Sequence, residues 1–191
     1  MIIDDYIVTK QLDLDVETIK KSSYTMYNII RKNFAEDLDY TAQKTLVAGL
    51  YQKYNLLMYP LPEFHKLYEE IRTTFREHNP LAGPCYIQCW LNFYYKGQYI
   101  DWHNHGDDNS KIWHGFYCVS SGISKTTYIL PKVYKPVDII SKDNLLVMSP
   151  GAGDKHRTWP WDQDEPRITI AFDINPIDTV FTEPLNHWIP I

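Results

Sequence analysis

Apolar residues recur at helical spacing twice in the first eighty positions, and the chain then changes to the two-residue alternation of strands. In VETIKKSSYTMYNIIRKNF, Ile19, Met26, Tyr27 and Ile30 fall on one helical face, with Asp13 or Asp15 placed to cap the first turn. In PEFHKLYEEIRTTFREH, Phe64, Leu67, Tyr68, Ile71 and Phe75 mark a second apolar face. Pro62 suits the first turn of that helix, and Asn79-Pro80 ends it. The stretch between them, TAQKTLVAGLYQKYNLLMYP, follows neither period and is expected as short helix or loop.

From Gly83 onward, short segments rich in Tyr, Trp, Ile, Val and Thr alternate with Gly, Pro, Asn and Asp. The predicted strands are CYIQCWLNFYY, QYIDWHNH, WHGFYCVS, KTTYIL, VDIIS, NLLVMS and RITIAFDI. No helix-length segment separates them, so antiparallel pairing is expected rather than βαβ crossovers. In the last strand Ile168, Ile170, Phe172 and Ile174 point one way, and Arg167, Thr169 and Ala171 the other. The pattern predicts a mainly β fold with N-terminal helices, a double-sheet jelly roll whose helices cover the apolar back of one sheet. Residues 1–191 are expected as a single domain. Residues 1–82 form a mostly helical support region, 83–176 the jelly-roll core and 177–191 a C-terminal tail.

Composition narrows the classes. A hydrophobic content of 44% and a charged content of 23% fit a soluble globular chain, with fifteen Tyr and six Trp making it aromatic. The net charge of −5 is spread over both signs, so no basic stripe argues for nucleic acid. The amino terminus shows no basic-then-apolar leader and no apolar run reaches membrane-spanning length; a cytoplasmic protein is expected. Cys85, Cys89 and Cys118 read as small buried side chains rather than a disulfide framework.

The candidate chemistry lies in DWHNHGDDNSKIWHGFYCV. On a strand, His103 and His105 project from one face, which supplies half of a metal site. His156 follows NLLVMS and a glycine-rich turn that can return the chain to the same place, and imidazoles suit Fe, Zn, Cu or Ni. Arg167 and Thr169 share the inward face of the final strand, where a guanidinium fork and a hydroxyl suit a carboxylate. A metal with open positions and an inward carboxylate clamp is what a 2-oxo diacid requires.

Trp90, Asn92, Gly97, His103 and His105, spaced W-x-N-x4-G-x5-H-x-H, together with HGFYCV, NLLVMSPGAGDKH and EPRITIAFDI, resemble the Fe(II)- and 2-oxoglutarate-dependent oxygenases. The resemblance is to the small members related to prolyl hydroxylases and covers roughly residues 85–175. It implies a cupin-like double-stranded β-helix. It also implies Fe(II) held by His103, His105 and His156, 2-oxoglutarate held by Arg167 and Thr169, and O2 as co-reactant. The cosubstrate would be decarboxylated to succinate as a small-molecule or peptidyl substrate is hydroxylated. Asn92 and Tyr117 are further candidates for cosubstrate contacts. The family's usual ligand set is two histidines and a carboxylate, and His105 stands at the carboxylate position. The third ligand is therefore His105 or, alternatively, Asp101, Asp107 or water.

Blander readings stand beside these. Arg167 after DQDE reads as a salt-bridging residue and Thr169 as a plain strand former. His65, His78 and His187 read as surface or hydrogen-bonded residues, and His114 fits either class. Most of Trp90, Trp102, Trp113, Trp159 and Trp161 read as sandwich core, with Trp159 or Trp161 available to rim a pocket. Two other functions fit the same residues: a cupin-type three-histidine dioxygenase that does not use 2-oxoglutarate, and a non-catalytic β-sandwich binding module. The substrate and the oligomeric state are not written in these motifs.

Overall fold

The structure is a computed structural model and describes residues 2–3, 6–37, 48–131, 135–180 and 187–191, with 179 and 180 described by backbone alone. The chain begins with two short strands that the sequence pattern did not predict, β1 (Ile2–Ile3) and β2 (Ile7–Gln11). β2 is too short to announce itself by alternation; its partner is a strand some 140 residues away, Val8 pairing with Met148 and Gln11 with Leu145. Helix α1 (Val16–Asn33) starts at Asp15, whose carboxylate accepts from the Thr18 amide at 3.1 Å and hydroxyl at 2.7 Å. Its buried face holds Ile19, Met26, Tyr27 and Ile30, as the spacing required. Helix α2 (Pro62–His78) buries Phe64, Leu67, Ile71 and Phe75, with Pro62 in its first turn. Between the helices, residues 41–47 of the ambiguous stretch lie outside the described residues. The rest forms two short 3-10 turns, Ala48–Leu50 and Leu56–Met58.

The later strands are β3 (Cys85–Tyr94), β4 (Trp113–Ser120), β5 (Lys125–Ile129), β6 (Pro136–Ile140), β7 (Leu145–Pro150), β8 (Lys155–Thr158) and β9 (Arg167–Pro176). A four-residue helix, α3 (Ile177–Val180), and strand β10 (Ile189–Pro190) follow. Two antiparallel sheets result, one in the order β1-β2-β7-β4-β9-β3-β10 and a smaller one in the order β6-β5-β8. Because the chain passes repeatedly from one sheet to the other, the fold is a double-stranded β-helix. The first 82 residues are thus more than helical support: β1 and β2 extend the large sheet. The described part of the C-terminal tail extends its other edge, Ile189 pairing with Ile87.

Alternation sorts the large sheet into two faces. Ile87, Cys89, Leu91 and Phe93 of β3, and Ile168, Ile170, Phe172 and Ile174 of β9, are all buried toward the helices. There Tyr27 stacks on Phe93 at 4.2 Å and Phe75 meets Trp113 edge-on at 5.7 Å. β3 is also sealed by side chains: Asn55 accepts from the Cys89 amide at 3.1 Å and donates to the Ile87 carbonyl at 3.0 Å. The Tyr54 hydroxyl accepts from the Leu91 amide at 2.8 Å. The opposite face presents Gln88, Trp90, Asn92 and Tyr94 alongside Arg167, Thr169, Ala171 and Asp173, which look toward the small sheet. Cys85, Cys89 and Cys118 are buried free thiols, and burial pushes all three above their usual range. Among the described residues no helix is long and apolar enough to cross a membrane.

Candidate metal centre and carboxylate pocket

QYIDWHNH is not a regular strand, contrary to the alternation. Local bonds replace the ladder: Asp101 Oδ1 accepts from the Trp102 amide at 2.8 Å, and the Asp101 carbonyl accepts from the His103 ring at 2.8 Å. The segment is nonetheless docked along β8. His103 and His156 exchange backbone hydrogen bonds of 3.1 and 3.0 Å, and the Thr158 amide donates to the Ile100 carbonyl at 2.9 Å. On the outer surface Arg157 lies between two tryptophans, its guanidinium 4.8 Å from the Trp102 ring and 4.2 Å from the Trp159 ring. Backbone pairing and this cation–π sandwich tie the segment carrying His103 to the strand carrying His156.

The single bridge faces the two rings at 4.2 Å, and His105 completes a group with ring distances of 5.3 Å to His103 and 5.2 Å to His156. One ligand nitrogen from each of the three lies within 4.8 Å of the others. A carbonyl oxygen only accepts, so the His103 Nδ1 facing Asp101 carries the proton and the other nitrogen keeps its lone pair. The His105 Nδ1 lies 2.7 Å from Asp173 Oδ1. Burial, then the neighbouring His105, pushes His103 down to about 4. Burial and three neighbouring imidazoles hold His156 well below its usual value. For His105 burial also opposes the charge, but the Asp173 carboxylate outweighs it and the net shift is upward. At neutral pH His103 and His156 are therefore uncharged donors, the form a metal needs.

A fourth imidazole, His114, was left ambiguous by the sequence although it opens the HGFYCV motif. His114 on β4 is buried, stacks on His105 at 4.3 Å and lies 4.7 Å from the His156 ring. Its Nε2 is 2.8 Å from Asp154 Oδ2, and the Ser149 hydroxyl contacts both, at 3.0 and 3.1 Å. His114, Asp154 and His156 form a second set of possible ligand atoms within 4.8 Å. Asp101 and Asp107, the acidic alternatives for the third ligand, are exposed and belong to neither set; their carboxylates cap nearby backbone amides.

The other end of the pocket is cationic. Arg167 is 3% exposed, its Nη2 is 3.4 Å from Thr126 Oγ1 and 3.5 Å from Ser141 Oγ, and its guanidinium sits 4.8 Å from the Tyr94 ring. Its Nε has no hydrogen-bond partner, and among the described residues no carboxylate forms an ion pair with it. Thr169 lies beside it, accepting from Asn92 Nδ2 at 3.4 Å, while Asn92 Oδ1 is also unpartnered. Arg167, Thr169 and Asn92 line the same cavity of about 340 Å³ as His103, His105 and His156. Trp90, Tyr94, Thr126 and Thr158 line it as well.

Tyr117 is not brought to this cavity. On β4 the side chains of His114 and Phe116 alternate with it, so Tyr117 turns toward the helices, where it is fully buried and donates to Asn144 Oδ1. The tryptophans divide similarly. Trp113 joins the helix-side core and Trp161 is buried with its indole donating to the Glu165 carbonyl, whereas Trp90 lines the pocket and Trp159 is on the surface.

No family model and no curated protein sequence matches this chain. Solved structures do. AviO1 from Streptomyces viridochromogenes Tue57 aligns with a TM-score of 0.60 at 16% identity, over 90% of each chain. A Pseudomonas putida prolyl-4-hydroxylase aligns at 0.56 and 12% identity, over 89% of this chain and 88% of its own. HygX from Streptomyces hygroscopicus, solved with iron bound, aligns at 0.57 and 12% identity, over 90% of this chain and 82% of its own.

Proposed function

We propose that this chain, which shares the fold of those solved structures and has a histidine cluster at one end of its cavity and, at the other, a guanidinium that no described carboxylate pairs, is an Fe(II)- and 2-oxoglutarate-dependent oxygenase that hydroxylates a small-molecule or peptidyl substrate. The observation that carries this reading is Arg167. A guanidinium that is 3% exposed and paired with no carboxylate among the described residues is costly unless an anion joins it. The unpartnered Arg167 Nε and Asn92 Oδ1 fit a polar ligand completing that end of the cavity.

The donor set fits an imidazole-binding ion with open positions, since three nitrogens leave room for further ligands. His103, His105 and His156 would hold the metal, which would supply the O2 chemistry when bound. Arg167 and Thr169 would hold the distal carboxylate of 2-oxoglutarate, with Asn92 orienting the Thr169 hydroxyl. Trp90, Phe116 and Ala171 form the drier wall between the two ends and limit side reactions with water.

The all-histidine ligand set favours one other reading, a three-histidine dioxygenase that acts without 2-oxoglutarate. Anaerobic titration separates the two. Wild type with Fe(II) takes up 2-oxoglutarate and develops a weak visible charge-transfer band. A protein that binds Fe(II) but shows neither uptake nor band at saturating 2-oxoglutarate is the second kind of enzyme.

A further inference from the structure

Three imidazoles bring no negative charge to a divalent ion, whereas one carboxylate ligand would cancel half of it. Among the described residues, a carboxylate stands behind one of the three candidate ligands. Asp173 lies on the pocket face of β9, reached by the same alternation that aims Arg167 and Thr169 inward, and its register partner on β4 is His114. Its Oδ1 is 2.7 Å from His105 Nδ1, and the two side chains are only 14% and 13% exposed. No described donor, His105 included, is aligned for a hydrogen bond to that oxygen, so the 2.7 Å approach is a contact of charge; among the described residues no lysine or arginine pairs with Asp173. Asp173 belongs to neither set of possible ligand atoms.

The three candidate ligands are supported differently. His103 is oriented by a neutral backbone carbonyl, and the Nδ1 of His156 has no partner. His105, the residue at the carboxylate's place in the motif, is the one with an anion against its ring. We infer that Asp173 is a positioning residue that orients His105 through Nδ1 and lends the centre the negative charge missing from its ligands. This rests on the metal reading above. A carboxylate contacting Nδ1 keeps the proton there, presents the other nitrogen to the ion and raises its basicity, as in carboxylate–histidine–metal arrangements.

The test uses the whole chain with Co(II) and Fe(II) under anaerobic conditions. Asp173→Asn keeps size and an acceptor oxygen but removes the charge; its affinity for both ions is expected to fall about 10- to 100-fold, and the visible bands of bound Co(II) to shift. A role in packing alone would leave both unchanged in this near-isosteric variant, and that result overturns the inference. In a His105→Gln background, where Nδ1 is gone, adding Asp173→Asn should change metal affinity no further. Should Asp173→Asn fail to fold, Asp173→Ser is judged by the same criteria. If wild type itself binds neither ion, the metal reading fails first. If wild type binds and Asp173→Asn matches it, only the present inference fails.

Discussion

The two ends of the cavity differ in whether the described residues set an opposite charge or dipole against the groups that line it. At the histidine end, His103 has a carbonyl behind it, His105 a carboxylate, and His114 both Asp154 and Ser149, while His156 Nδ1 has no described partner. At the arginine end the contacts are long, 3.4 to 3.5 Å, and Arg167 Nε and Asn92 Oδ1 have no partner. Under the proposed function, the first end would take a ligand that accepts lone pairs, and the second a ligand that brings its own negative charge.

Removing a metal donor should break this contrast most severely. His103→Ala or His156→Ala is expected to weaken Fe(II) binding by more than about 100-fold, because even a change behind a ligand costs up to that much; calorimetry or metal analysis after desalting reads it. Next in size, Arg167→Ala should cost about 2–5 kcal/mol of 2-oxoglutarate affinity while leaving Fe(II) affinity near wild type. Equal loss of both would mean that the two ends are not independent. Arg167→Met sharpens the point: if the guanidinium is uncompensated without a ligand, the apolar replacement raises the ligand-free Tm by about 2–4 °C. In the same variant 2-oxoglutarate no longer raises it. Asn92→Ala should lower 2-oxoglutarate affinity by about 0.5–1.5 kcal/mol, one ordinary hydrogen bond. Tyr117→Phe should leave that affinity unchanged and cost only about 1 kcal/mol of stability, measured by denaturant unfolding, through the lost bond to Asn144.

Much of the fold could be read because its signals are local. The α2 apolar stripe and its Pro62 start are contained in seventeen consecutive residues, and the burial of Phe64, Leu67, Ile71 and Phe75 follows. Tyr68, expected on that stripe, is half-buried instead, with its hydroxyl donating to the Pro190 carbonyl at 2.8 Å. β1, β2 and β8 were missed because two, five and four residues are too few for alternation to register. Their pairing partners are remote, and remote pairing leaves no mark on a short segment.

The site divides on the same physical line. Arg167 and Thr169 were legible as a pair two residues apart on one strand face, His103 and His105 from the same spacing although their segment is not a regular strand, and Asn92 and His156 from their places in longer motifs. Tyr117 failed because strand parity decides which face a residue takes, and here that parity gives His114 the pocket. Asp173 was within reach, being the next inward position after Ala171, but nothing local pairs it with a histidine 68 positions earlier.

By itself, then, the sequence determined the helices, most strands, the inward row of β9 and the types of group available for chemistry. These depend on periods of two or 3.6 residues and on side-chain identity. Only the tertiary structure decided which imidazoles meet, that Asp154 and Asp173 stand behind two of them, and that no carboxylate among the described residues pairs with Arg167. Those outcomes come from sheet register and long-range closure, which bring together side chains whose spacing along the chain carries no record of the encounter.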